Sequence, residues 1–130
     1  MIIAACVDEA MGLRFNNRRQ SRDRVQVEEL LRMSGGALRA GENSEKLLSK
    51  AGAYIGSDYL SAAAPGDWCF CEDNDYLEYA DAIEQIVLFQ WNRSYPADLW
   101  FRFPGEWKMA ESRDFAGSSH EKITVEVYRK

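Results

Sequence analysis

Ile2-Ile3-Ala4-Ala5-Cys6-Val7-Asp8 is a continuous apolar run closed by an acid. Such a run reads as a β-strand buried on both faces, because a strand with one wet face would alternate apolar and polar residues. A strand of that kind belongs inside a sheet covered on each side. Two further segments have the same character. Residues 67–72 carry Trp68-Cys69-Phe70-Cys71, and residues 83–91 read Ile-Glu-Gln-Ile-Val-Leu-Phe-Gln-Trp. Three strands of this type predict a sheet with a largely buried centre.

The elements between these strands are short. Gly12 and residues 14–20 predict a loop, and Ser21 is a suitable N-cap for a helix over 25–33, with Gly35-Gly36 as its stop. Residues 37–40 predict a short strand, after which Asn43 or Ser44 caps a second helix running to Lys50, with Gly52 closing it. Residues 53–55 form a minor strand. Ser57 caps a small helix over 58–63 that Pro65-Gly66 stops, and another short helix spans 75–82. Residues 106–114 and 123–128 alternate polar and apolar, so they predict an antiparallel pair with one wet face, joined through Gly117-Ser118-Ser119. With no repeat, low-complexity segment or linker, residues 1–130 are expected to form one domain. Its fold class is α/β, a three-layer mixed sheet with flanking helices and a C-terminal antiparallel strand pair.

Composition narrows the function classes. Of 130 residues, 46% are hydrophobic, which excludes a disordered or fibrous chain, and no apolar stretch approaches the ~20 residues of a membrane span. A formal charge of -5 disfavours nucleic-acid binding by the surface as a whole, and no membrane partner is expected. The apolar N-terminus lacks the basic region of a signal peptide. Together with three cysteines in no framework spacing, this points to a reducing cytosol. Cys69 and Cys71 lie one strand period apart, so both thiols face one side. A tetrahedral metal site would need two more ligands and the chain holds one histidine, so the pair is read as core packing and no metal is expected.

The order of elements resembles the dihydrofolate reductase fold. Ile3-Ala4-Ala5-Cys6-Val7-Asp8 followed by Gly12 is similar to that family's first strand and the glycine of its mobile loop. Ala40-Gly41-Glu42-Asn43-Ser44 resembles its turn before a helix, and Trp68-Cys69-Phe70-Cys71 with Tyr76 resembles its strand, diglycine turn and tyrosine-bearing helix. Tyr95-Pro96-Ala97-Asp98-Leu99-Trp100-Phe101 with Trp107, and the closing Val125-Glu126-Val127-Tyr128-Arg129-Lys130, resemble its last segments. The resemblance implies a fold, while the departures argue against NADPH-dependent folate reduction. Glu72-Asp73 stand where the diglycine would admit a pyrophosphate. The segment from Leu48 to Asp67 is short, Phe89 replaces an expected threonine, and the pterin-binding acid falls near Asp23 between Arg22 and Arg24. No cofactor is expected. The chain also resembles short bacterial proteins sometimes labelled ribonuclease Z, a label that implies a histidine-rich dizinc site which one histidine cannot build.

Five arginines, Arg14, Arg18, Arg19, Arg22 and Arg24, fall within eleven residues between a buried strand and a helix N-terminus. Helix N–H groups and guanidinium forks favour phosphate or carboxylate there. Asn17, Arg18, Arg19, Gln20, Ser21, Arg22 and Arg24 are therefore candidate ligand-binding residues. The competing expectation is a solvated helix entry, with Arg22 and Arg24 paired to Glu28 and Glu29. Trp91-Asn92-Arg93 leave a central strand at its ligand-binding end and join the candidates, although Trp91 also suits a core cap. His120, beside Ser118 and Ser119, and Asp23 are the candidate acid–base groups. The acidic turn at Glu72-Asp73 is expected to lie at the loop opposite the arginines. Three functions compete: a reductase-like scaffold that binds an anionic small molecule or partner, an enzyme acting on a small anionic or heterocyclic substrate, and a phosphate or nucleic-acid interaction module.

Overall fold

A computed structural model describes residues 1–130. The three apolar runs become β1 (Ile2–Val7), β6 (Trp68–Phe70) and β7 (Gln85–Gln90), with β1 paired in parallel to both others. The seven-stranded sheet has the order β5-β4-β6-β1-β7-β10-β9, where β4 is Leu38–Ala40 and β5 is Tyr54–Ile55. β9 (Lys108–Phe115) and β10 (Ile123–Arg129) close it as an antiparallel pair beside β7. β10 alternates buried and half-exposed residues, as expected for one wet face. β9, at the free edge, is exposed along nearly its whole length and is offset against β10 by a bulge near Val127.

Two apolar clusters sandwich this sheet. One gathers Ala4, Leu38, Phe70, Val87, Phe89 and Val125 under Leu30 of helix α1 (Arg24–Ser34) and Leu48 of helix α2 (Glu45–Leu48). The other gathers Ile3, Ala5, Val7, Ile86 and Leu88 under Tyr59, Leu60, Tyr76 and Phe101. Phe89, at the position of the expected threonine, therefore packs beneath the helices. Cys69 and Cys71 both belong to the second cluster, so the thiols share one side of β6. Burying a side chain of Leu30's size contributes roughly 2 kcal/mol of transfer free energy. No helix is long and apolar enough to cross a membrane.

Four local expectations are corrected. Residues 14–20 are a β-hairpin, with β2 (Gly12–Phe15) paired to β3 (Arg18–Arg19) and to β8 (Leu99–Trp100) in a second, three-stranded sheet. Its turn is Asn16-Asn17, both at positive φ (53° and 63°), a conformation asparagine tolerates better than most residues. The N-cap of α1 is Asp23, not Ser21: its carboxylate accepts from the Val25 and Gln26 N–H groups. Residues 58–63 form successive turns in place of a helix. Six residues before Pro65 are too few to propagate one. The second helix is likewise one α-turn flanked by 3₁₀ turns, and Ser44, at its N-cap, sends its hydroxyl to Glu72.

Candidate functional site

β1, β6 and β7 all end at one edge of the sheet, and their C-terminal continuations, Asp8, Glu72 and Trp91, meet the β2–β3 hairpin there. This is the edge at which open α/β sheets carry their ligands. Asp8 ties it together: its buried carboxylate accepts from the Ala10 and Gly12 N–H groups, from Gln20 Nε2 and from the Tyr95 N–H. Gly12 is required because a Cβ would stand 2.5 Å from Gln20 Nε2 and 2.8 Å from Ala97.

The acidic turn and the arginine loop are not opposite each other but in contact. Arg19 makes a bidentate pair with Glu72, Nε to Oε2 at 2.7 Å and Nη2 to Oε1 at 2.9 Å, and the Ser44 hydroxyl donates to the same carboxylate at 2.6 Å. The Glu72 bond is the main reason the Arg19 guanidinium is held further toward its charged form. Arg14 lies 3.7 Å from Asp73 and hydrogen-bonds Asn17. Arg24 pairs with Glu28 one turn along α1, as the solvated-helix expectation had it. Arg22 does not pair with Glu29, because Glu29 is taken by Arg32 and Arg113. Arg18 and Arg22 are exposed and have no carboxylate partner. Both line an entirely polar cleft of about 700 Å³ with Arg19, Ser21 and Asn43, and with Glu72, whose charge Arg19 balances.

Asp23 and His120, separated by 97 positions, are brought into contact: His120 Nδ1 stands 3.0 Å from Asp23 Oδ2. Asp23 also accepts from the backbone N–H groups of Ser118 (3.0 Å) and Ser119 (2.8 Å) and from the Ser118 hydroxyl. Burial would raise its pKa, but the hydrogen bonds from Ser118, Ser119, His120 and Gln26 outweigh it and hold the carboxylate well below the usual range. Gly117 is small for this reason, since a Cβ there would lie 2.5 Å from Asp23 Oδ2. A carboxylate only accepts, so His120 Nδ1 donates to Asp23, and in the neutral ring Nε2 is then the acceptor. Nε2 faces the hydroxyls of Tyr95 at 2.9 Å and Ser21 at 3.2 Å. The imidazole is stacked on Trp91, ring centroids 4.4 Å apart at 20°.

The remaining candidates, Gln20, Trp91, Asn92 and Arg93, do not line the arginine cleft. Trp91 is buried and covers His120, in keeping with a core cap. Asn92, at φ 59°, donates through Nδ2 to the Lys122 carbonyl and to Thr124, bracing the turn. Arg93 stands exposed beside Glu9, Glu121 and Lys122, away from the arginine cleft. Gln20 spends its amide N–H groups on Asp8 and the Pro96 carbonyl. Gln26 escaped the reading of the sequence. It is 1% exposed, and its Nε2 has no partner beside a water-sized cavity of about 10 Å³ bordered by Cys6, Phe70 and Trp91. The available signal was a glutamine on the same helical stripe as Leu30 and Ser34, where an apolar residue is usual. Burial, and to a smaller degree the nearby Glu72, pushes the Cys6 thiol up, so it is an inert wall of that cavity.

The two-faced mixed sheet, with β10 antiparallel at the end of β7, is the dihydrofolate reductase fold. Among solved structures, the chain is similar to a dihydrofolate reductase from Enterococcus faecalis complexed with NADP(H) and RAB-propyl, with a TM-score of 0.66 and 11% identity. The match covers 99% of this chain and 95% of that one. No family model matches the chain, and no curated protein sequence matches it.

Proposed function

We propose that this chain is a single-domain reductase-like scaffold that has given up the dinucleotide site and binds a small anion in the arginine-lined cleft. One observation carries the reading. Of the five clustered arginines, Arg14, Arg19 and Arg24 have carboxylate partners, while Arg18 and Arg22 reach the cleft with theirs unmet. An unpaired guanidinium beside a cleft of ligand size is suited to phosphate or carboxylate oxygens, with Ser21, Asn17 and Asn43 as further polar contacts.

The fold family implies NADPH, and the residues here do not suit it. The turn that would have to admit a diphosphate carries Glu72, 8% exposed and clamped by Arg19 and Ser44, followed by Asp73. Side-chain bulk at this turn keeps a diphosphate off the backbone, and Glu72 cannot swing aside without leaving Arg19 unpaired. A reducing compartment suits its three free thiols.

Calorimetric titration with inorganic phosphate and with pyrophosphate tests the reading. The wild-type chain should bind one of them, and Arg18→Ala or Arg22→Ala should weaken binding at least tenfold, about 1.4 kcal/mol. Unchanged affinity in both variants would overturn it. NADPH should give no rise in melting temperature.

A further inference from the structure

The anion cleft and the buried Asp23–His120 pair share one residue, Ser21. Ser21 lines the cleft beside Arg18 and Arg22, and its Oγ stands 3.2 Å from His120 Nε2. On the far side of the ring, Nδ1 is 3.0 Å from Asp23. Hydroxyl, imidazole and carboxylate thus stand in line, the imidazole fixed in one tautomer by an acid that accepts four backbone N–H groups. This is the spatial requirement for a base-activated nucleophile, which neighbouring residues of one strand cannot meet. The Tyr95 hydroxyl also reaches Nε2, at 2.9 Å, but lies 3.5 Å from Ser21 Oγ as well. Turning its proton onto Ser21 Oγ frees Nε2 for the serine proton.

We propose that Ser21 is the nucleophile of a phosphomonoester hydrolase, resting on the anion-cleft reading above. A phosphomonoester fits better than a carboxylic ester. In a phosphomonoester the charged group and the reacting centre are the same, so Arg18, Arg22 and Ser21 in one cleft suffice. A carboxylic ester would need its anion and its carbonyl held at separate points. In the first step Ser21 Oγ bonds to phosphorus and yields its proton to His120 Nε2. The ester P–O bond breaks, and the leaving alcohol takes that proton. In the second step water gives a proton to Nε2 and attacks the phosphoserine. The Ser21 Oγ–P bond breaks and Oγ recovers a proton, so the net consumption is one water per ester. Arg18 and Arg22 balance charge on the phosphoryl oxygens. Asp23, which touches no substrate atom, is a positioning residue.

The test uses the full chain with 4-nitrophenyl phosphate, following nitrophenol release and, after acid quenching, phosphate on the Ser21 peptide by mass spectrometry. Phosphate affinity is measured on the same preparations. The wild type should release nitrophenol and show the phosphoseryl peptide. Ser21→Ala, which removes one oxygen from a half-buried side chain, should lose release at least a hundredfold, far more than the loss of one polar contact costs in phosphate affinity. Asp23→Asn should slow release through kcat with KM little changed, because the ring loses the acceptor that orients it. A wild type that binds phosphate but gives neither product nor phosphoserine overturns the proposal and spares the binding reading. So does release that survives Ser21→Ala. Absence of binding to both phosphate and pyrophosphate overturns both.

Discussion

Residues 18–23 hold two polar sites built on opposite terms. At one end Asp23 is 2% exposed and every acceptor direction is filled, by α1's first turn, by the Ser118 and Ser119 N–H groups and by His120. Beside it Arg18 and Arg22 are exposed and make no ion pair. The difference teaches where stability and binding reside. A buried, fully satisfied carboxylate fixes a hairpin connection to a helix terminus, and its loss is costly. An exposed, unmatched guanidinium contributes almost nothing to folding and is free for a ligand. Arg19 lies between these limits, 28% exposed against a Glu72 that is 8% exposed.

The comparison breaks most readily at Asp23. Asp23→Ala removes the cap and leaves two backbone N–H groups and an imidazole unpaired, so urea denaturation should register a loss of about 4 kcal/mol. A loss under about 1 kcal/mol would mean that the site is not the clamp described. The pH dependence has a definite sign. Because the folded Asp23 pKa is depressed, its contribution is present above the unfolded value near 4 and is lost as pH falls below it. Asp23→Ala should flatten that acid limb of the stability profile. Gly117→Ala, which forces a Cβ against Asp23 and the His120 carbonyl, should cost about 2 kcal/mol by thermal denaturation. Arg19→Gln should cost about 1–2 kcal/mol, by leaving Glu72 without its cation. Adding Glu72→Gln should recover most of that in a double-mutant cycle, and failure to recover it would show the two side chains to be independent. Arg18→Ala and Arg22→Ala should move the melting curve least, by under about 0.5 kcal/mol, and register in anion binding alone.

Much of the framework was legible because its signals are local. The apolar run at residues 2–7, the similar runs of β6 and β7, the alternation of β10 and the Gly35 stop of α1 each follow from neighbours in sequence, and each stands where it was expected. The β2–β3 hairpin was missed because polar Arg14–Arg19 carries no strand period, and only the left-handed pair Asn16-Asn17 marks its turn. Ser21 looked like the cap because serine is a preferred N-cap. Asp23 took that role when Ser118 and Ser119 came to share its carboxylate.

The chain by itself determined the sheet's buried centre, the two-sided core and the concentration of arginine before one helix, since burial pattern and charge are properties of consecutive residues. Which arginines stayed free was decided only in three dimensions. Arg19 meets Glu72 across 53 positions, and His120 meets Asp23 across 97. Contacts of such span leave no periodicity in the sequence, because their geometry is set by how β1, β6 and β7 bring their ends to one edge of the sheet.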